Sequence, residues 1–292
     1  MAKLSNGRKS LGQTVQDVRL AVTYRCTMVR IACCQIDPTI GELAANAELI
    51  EANIRQAVEA GAEVIVLPEL ATSGYMFADA EEARAAALTP KDPAFAKWSA
   101  AAGDSIVIGG FCELGDDARL YNSAVMLDAD GVIATYRKTH LWDREKLIFT
   151  PGDALPKVVN TKHGAIAVMV CYDLEFGELT RPVAVHGAEL IAAPVNWPLF
   201  PRPQGERPGE VITAMSTART NKVAVAACDR AGVERGQQWT EGTAIVDPDG
   251  WVVASAGPGT AMAVADIDLA LTHDKTLTEH VHLFDDRRID LY

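Results

Sequence analysis

Three side chains of complementary chemistry stand at the ends of apolar runs. Glu69 follows Val64-Ile-Val-Leu-Pro68, Lys138 follows Ile133-Ala-Thr-Tyr-Arg137, and Cys171 follows Ala167-Val-Met-Val170. Singly, each has a bland reading. A cysteine on an apolar strand is most often a small buried hydrophobe, and a Glu or Lys at a strand end is usually a solvated loop residue. Together they supply a base, a cation and a nucleophile. A thiol with an ordinary pKa of about 8.5 attacks as the thiolate, so a neighbouring base must take its proton. The negative charge created by the attack then needs a cation or oriented backbone N–H groups.

The elements that must position these residues can be read from periodicity. Met28–Ile36 reads as the first core strand, and Glu42–Ala60 as a helix with Leu43, Ala47, Ile50, Ile54 and Val58 on one stripe. Glu63–Pro68 is a short continuous apolar run, as in a strand buried on both faces. Helical stretches are expected around 79–88 and 93–102, and a strand over Ser105–Glu113. Tyr121–Asp128 and Val132–Arg137 flank Asp130-Gly131, a hairpin signal. Gly164–Val170 is read as the strand leading to Cys171. Phe176–His186 is read as a helix with Pro182 near its start or at a kink. Strands at Glu189–Ala193 and Val223–Cys228 bracket a Pro-rich loop over 199–210 and a helix at Val211–Thr220. Three late strands follow, over 242–247, 251–255 and 260–267. This order describes a single α/β domain over residues 28–292, with mixed sheets and outer helices. Residues 1–27 are polar and irregular, and are expected to form a poorly ordered tail.

Composition narrows the function classes. The 292 residues are 49% hydrophobic and carry a formal net charge of −12, which argues against binding a phosphate backbone. The six cysteines form no C-x-x-C pair and no zinc-type spacing with histidine, so a metal site is not expected. Scattered thiols in apolar runs suggest a reducing, cytoplasmic setting. No apolar run approaches membrane-spanning length, and the N-terminal stretch lacks the hydrophobic region of a secretory signal.

The segments Leu67-Pro-Glu69, Tyr136-Arg-Lys138-Thr-His-Leu141 and Cys171-Tyr-Asp173 together resemble the nitrilase superfamily of carbon–nitrogen hydrolases, with its Glu–Lys–Cys triad. The resemblance runs from Met28 to the C-terminus. Gln35, Asp130-Gly131, Thr150-Pro-Gly152, Arg219 and Thr243–Gly250 fall where that family has similar elements. It implies an α-β-β-α four-layer sandwich of mixed sheets with helices on the outer faces. It also implies assembly into homodimers or larger homo-oligomers, with no metal or organic cofactor. The implied chemistry has Glu69 as general base, Cys171 as the acylated nucleophile, and Lys138 with the Tyr172 backbone N–H on the oxyanion. Glu145 matches a second glutamate found in many members, there to hold Lys138 or orient substrate and water. His140 is expected to be structural, bonding the loop backbone.

Residues after the nucleophile separate the branches. Nitrilases of this superfamily usually carry Trp-Glu after the cysteine, where Tyr172-Asp173 stands here, and N-carbamoyl hydrolases usually place arginines shortly after it, where none occurs until Arg181. Cys171–Glu178 looks most like amidase branches, with Gly177 in place of a usual proline. The expected reaction is hydrolysis of small aliphatic or modest aromatic primary amides to acid and ammonia. The alternatives are an N-carbamoyl amine hydrolase or a nitrilase. Tyr75, Trp142, Tyr172, Asn196 and Trp197 are the expected pocket residues. Phe149 reads equally as wall or core, and Glu175 as a cap of the following helix.

Overall fold

The computed structural model describes residues 28–291. The expected tail over residues 1–27 lies outside them. The first half of the chain builds one sheet. Strand β1 (Met28–Gln35) leads through helix α1 (Leu43–Glu59) to β2 (Val64–Val66). Helices α2 (Ala80–Ala85) and α3 (Pro93–Ala102) precede β3 (Ile106–Leu114), β4 (Leu120–Asp128) and β5 (Gly131–Arg137). The second half runs β6 (Val158–Thr161), β7 (Gly164–Val168), α4 (Gly177–Val185), β8 (Leu190–Pro194), α5 (Gly209–Asn221) and β9 (Ala224–Cys228). A short ribbon of β10 (Val233–Glu234) and β11 (Gln237–Gln238) follows, then β12 (Ala244–Val246), β13 (Val252–Ser255) and β14 (Ala261–Asp268). A small hairpin, β15 (Thr276–Thr278) and β16 (Val281–His282), comes last.

Two six-stranded sheets result, in the orders β14-β1-β2-β3-β4-β5 and β13-β12-β9-β8-β7-β6. In each, parallel pairs occupy the centre (β1-β2-β3 and β7-β8-β9), and antiparallel strands close the flanks. The period of two along each strand divides the first sheet's residues between two cores. Val29, Ile31, Cys33, Val64, Val66, Ile106 and Ile108 pack with the second sheet. Their neighbours Ala32, Cys34, Ile65, Leu67 and Val107 pack with Ile50 and Ile54 of α1 and with Phe95 and Trp98 of α3. Leu179 and Val183 of α4 and Val211, Ala214 and Ala218 of α5 cover the second sheet. The layers are therefore helix, sheet, sheet, helix, the four-layer α-β-β-α sandwich expected.

Several local expectations need correction. The strand before Cys171 ends at Val168, two residues short of Val170, and β6 was not anticipated. Val158-Val-Asn-Thr161 is only half buried, so it lacks the continuous apolar run that marked the other strands. Of the two placements expected for Pro182, near the start of α4 or at a kink, the first does not hold, since it lies inside the helix. Glu175 does not cap α4: Phe176 occupies the cap position without a side-chain bond, and the Glu175 carboxylate accepts from Thr213 of α5 instead. Among the described residues, no helix is long and apolar enough to cross a membrane.

Candidate active site

Glu69 is fixed by close packing of backbone. Three residues beyond Val66, its segment is held by bonds from Leu67 N–H to the Ile108 carbonyl and from Gly110 N–H to the Pro68 carbonyl. A Cβ at Gly110 would stand 2.4 Å from the Leu70 nitrogen and 2.6 Å from the Glu69 Cα, so β3 can approach Glu69 only with glycine there. Lys138 follows β5 directly, and its backbone N–H donates to the Asn122 carbonyl of β4 at 2.8 Å. Cys171 opens a 3-10 turn, Cys171–Glu175, with φ of +48°. That left-handed conformation is strained for a residue with a Cβ and persists only where the surroundings enforce it.

The side chains meet in the interior. Lys138 Nζ donates to Glu69 Oε1 at 2.7 Å and to Glu145 Oε1 at 2.8 Å, with the lysine and Glu69 wholly buried. Asn122 Nδ2 also donates to Glu69 Oε1, at 2.7 Å, while Oε2 has no protein partner. Glu145 accepts from the Tyr75 hydroxyl and, through Oε2, from the Trp142 backbone N–H at 3.1 Å. Asn196 joins the remaining parts: its Nδ2 donates to the Glu69 carbonyl at 2.9 Å, and its own carbonyl lies 3.9 Å from Cys171 Sγ.

Burial sets the electrostatics. It raises the Glu69 carboxyl to about 7, against the opposing pull of the Lys138 ammonium. Burial alone would lower Lys138, but Glu145 and Glu69 outweigh it and hold the ammonium well above its ordinary value. The Cys171 thiol is pushed well up by burial and then by the Glu69 charge, with Lys138 acting the other way. The resting site thus holds a protonated thiol beside a carboxyl that titrates near neutrality, the range in which a general base works best.

Asp173 binds the lysine-bearing loop to the cysteine-bearing turn. Its buried carboxylate accepts from the Tyr136 hydroxyl at 2.8 Å, the Thr139 hydroxyl at 2.9 Å, the His140 N–H at 3.0 Å and the Val170 N–H at 3.2 Å. His140 was expected to bond the loop backbone, but its ring faces the Asp173 carboxylate instead. Its Nδ1 lies 2.9 Å from Asp173 Oδ1, and the ring stacks on Phe176 at 3.7 Å.

Of the expected pocket residues, Tyr75 and Trp142 line a small inner chamber of about 80 Å³, whose walls also include Phe149 and Trp239 and the charged Asp143, Arg144 and Glu145. Phe149 also packs on Phe77 at 6.2 Å, so it serves as both wall and core. Trp142, Tyr172, Phe200 and Gln237, with the charged Asp143 and Lys146, line an outer mouth of about 460 Å³. The Tyr172 ring meets Trp142 edge-on at 4.9 Å. Trp197 lines neither chamber. It is buried, its backbone N–H donates to Asp229, and its ring lies against Gly242, so its role is packing.

Asn122, Trp239 and Arg230 were not singled out from the sequence. Asn122 carried a signal, as a polar residue inside the apolar run Leu120–Leu127. Arg230 is a buried guanidinium that donates to Glu234, Asp37 and the Pro38 carbonyl. Glu234 in turn accepts from the Tyr75 and Met76 N–H groups. Arg230 therefore anchors the Tyr75 loop through Glu234. Among the described residues, no cluster of His, Cys, Asp and Glu has the arrangement of a metal site.

Comparison with known proteins shows the family. The sequence model of the family described as carbon-nitrogen hydrolase matches residues 30–275. A nitrilase of Pyrococcus abyssi is 35% identical over 271 residues, covering 91% of this chain and 99% of the relative. A human deaminated glutathione amidase is 31% identical over 290 residues, covering 91% of this chain and 84% of the relative. Among solved structures, an amidase from Nesterenkonia sp. superposes with a TM-score of 0.74 at 25% identity, covering 91% of this chain and 96% of that one. That structure shows the acetamide moiety of fluoroacetamide added covalently at its active-site cysteine.

Proposed function

Since the chain belongs to the carbon-nitrogen hydrolase family and acts on carbon–nitrogen bonds other than peptide bonds, we propose that it is an amidase of small, uncharged primary amides. The observation that carries the reading is the state of Glu69. Lys138 and Asn122 occupy Oε1, Oε2 is left without a protein partner, and the carboxyl titrates at about 7 beside the thiol. In this scheme Glu69 takes the Cys171 proton as the sulfur attacks the amide carbon. Lys138 and the Tyr172 backbone N–H hold the resulting oxyanion. The proton on Glu69 passes to the departing nitrogen, ammonia leaves, and a thioester remains on Cys171. Glu69 then activates water, which attacks the thioester and releases the acid. Glu145 keeps Lys138 oriented, through the bonds it receives from the ammonium and from Tyr75.

A neutral acyl group is favoured because the inner chamber's charged walls are two carboxylates, Asp143 and Glu145, against one cation, Arg144, which donates to the Ala78 carbonyl. The buried Arg230 guanidinium already serves Glu234, Asp37 and the Pro38 carbonyl and sits behind Trp239. Glu69 and Glu145 flank the single Lys138 ammonium, so a substrate carboxylate gains little there. Pairing into a homodimer through the outward helices belongs to the same proposal, since Ile212 of α5 and the neighbouring Trp251 are exposed apolar side chains. An ammonia-release screen over propionamide, propionitrile and N-carbamoyl amino acids tests the reading. Propionamide should be the fastest, and Cys171→Ala should abolish the release. Undiminished release by that variant would overturn the mechanism. Faster conversion of the nitrile or the carbamoyl compound would overturn the substrate class.

A further inference from the structure

Trp239 is the wall residue whose chemistry the hydrolysis does not use. It lies on the inner chamber, 4% exposed, and its indole Nε1 is buried without a protein partner. Apart from Asp143 and Arg144, which are exposed, the other polar walls are engaged. The Tyr75 hydroxyl is on Glu145, the Glu145 oxygens take Lys138, Tyr75 and Trp142, and Gln237 Nε2 donates to the Gln238 carbonyl. The indole is also held in place. Its ring meets Tyr75 edge-on at 5.4 Å, and the Arg230 guanidinium lies 5.0 Å from its centroid. An indole N–H only donates, and a buried donor left unmatched is costly, so a ligand acceptor at this position is favoured over a methylene.

We infer that Trp239 selects among amides by donating its indole N–H to a neutral acceptor atom, an ether, hydroxyl or carbonyl oxygen, on the acyl chain. The inference rests on the amidase reading above. The acceptor is neutral because the chamber's two carboxylates, Asp143 and Glu145, outnumber its one cation, Arg144, which donates to the Ala78 carbonyl, and the adjacent Arg230 charge is spent on Asp37 and Glu234. Sites that hydrogen-bond one substrate atom reject analogues lacking it, because their own polar group then stays unpaired.

The test uses the full chain and pairs of amides differing by one oxygen in place of a methylene. Methoxyacetamide is paired with butyramide, and 3-methoxypropanamide with pentanamide. The quantity read is the ratio of kcat/KM within each pair, for the wild type and for Trp239→Phe, which keeps an aromatic ring and removes the N–H. At least one ratio should fall by about tenfold in the variant, the worth of one ordinary hydrogen bond. Taking the ratio cancels any general loss of activity and the intrinsic activation of the ether amide. Equal ratios in the two enzymes would overturn the inference. Should the variant not fold, the wild type decides. In 3-methoxypropanamide the ether lies too far from the carbonyl to activate it, so a ratio near one for that pair and its companion overturns the selection. Failure of the wild type to release ammonia from any of the four amides would instead overturn the amidase reading itself.

Discussion

Asp173→Asn isolates the tie between the lysine loop and the nucleophile turn, because it preserves shape while removing one acceptor oxygen. In the native carboxylate, Oδ1 accepts from the Thr139 hydroxyl and the His140 N–H and faces His140 Nδ1, while Oδ2 accepts from the Tyr136 hydroxyl and the Val170 N–H. An asparagine has one acceptor oxygen. Turned toward the three contacts of the loop, it leaves its NH2 against Tyr136 and Val170. The tyrosine hydroxyl can rotate to accept, but the Val170 N–H cannot. One backbone donor is therefore orphaned in a buried position, at a cost of about 1–3 kcal/mol. The orphan is the residue before Cys171, whose left-handed backbone depends on its surroundings. We expect urea unfolding to lose about that much stability, and kcat for ammonia release to fall about 10- to 100-fold as the sulfur shifts from its line of attack. Tyr136→Phe, which leaves the Val170 bond in place, should cost less on both measures. An Asp173→Asn enzyme with wild-type unfolding midpoint and wild-type kcat would refute the argument that this carboxylate holds the two segments together.

Two further outcomes follow from the site. The acidic limb of kcat/KM should rise with pH through about 7, because Glu69 must lose its proton before it can act as base, and its buried carboxyl titrates there; a profile flat between about pH 5 and 8 would remove Glu69 from that role. Gly110→Ala should destabilise the chain by about 1–3 kcal/mol and reduce ammonia release, since the new methyl group would meet the Glu69 and Leu70 backbone; unchanged unfolding and turnover would show that this contact relaxes freely.

The sequence by itself determined most of the elements and the candidate reacting groups. Periodicity is a local property, so α1, the buried β2 and the Asp130-Gly131 hairpin were legible from spacing alone. Glu69, Lys138 and Cys171 were legible as a set, because a base, a cation and a nucleophile at three strand ends, in segments that resemble one family, point to one chemistry where each alone does not. The half-buried β6 escaped for the opposite reason, since Val158-Val-Asn-Thr161 carries neither an apolar run nor alternation.

What the tertiary structure alone decided is which polar groups answer one another. Asn122 lies 53 residues from Glu69, yet it fixes the very oxygen that Lys138 also holds. Tyr75 and Glu145 are 70 residues apart and meet across the chamber wall. Asn196, expected as a pocket wall, proved to brace the Glu69 backbone, and Trp197 beside it turned away into packing. Local pattern cannot encode such pairings, because they arise when two sheets close face to face and water is expelled between their ends. The same closure set the chemistry. A Glu, a Lys and a Cys in solvent would titrate near their ordinary values. Burial raises Glu69 to about 7, and the two carboxylates beside Lys138 keep it charged against the same burial, states that suit the roles proposed for them.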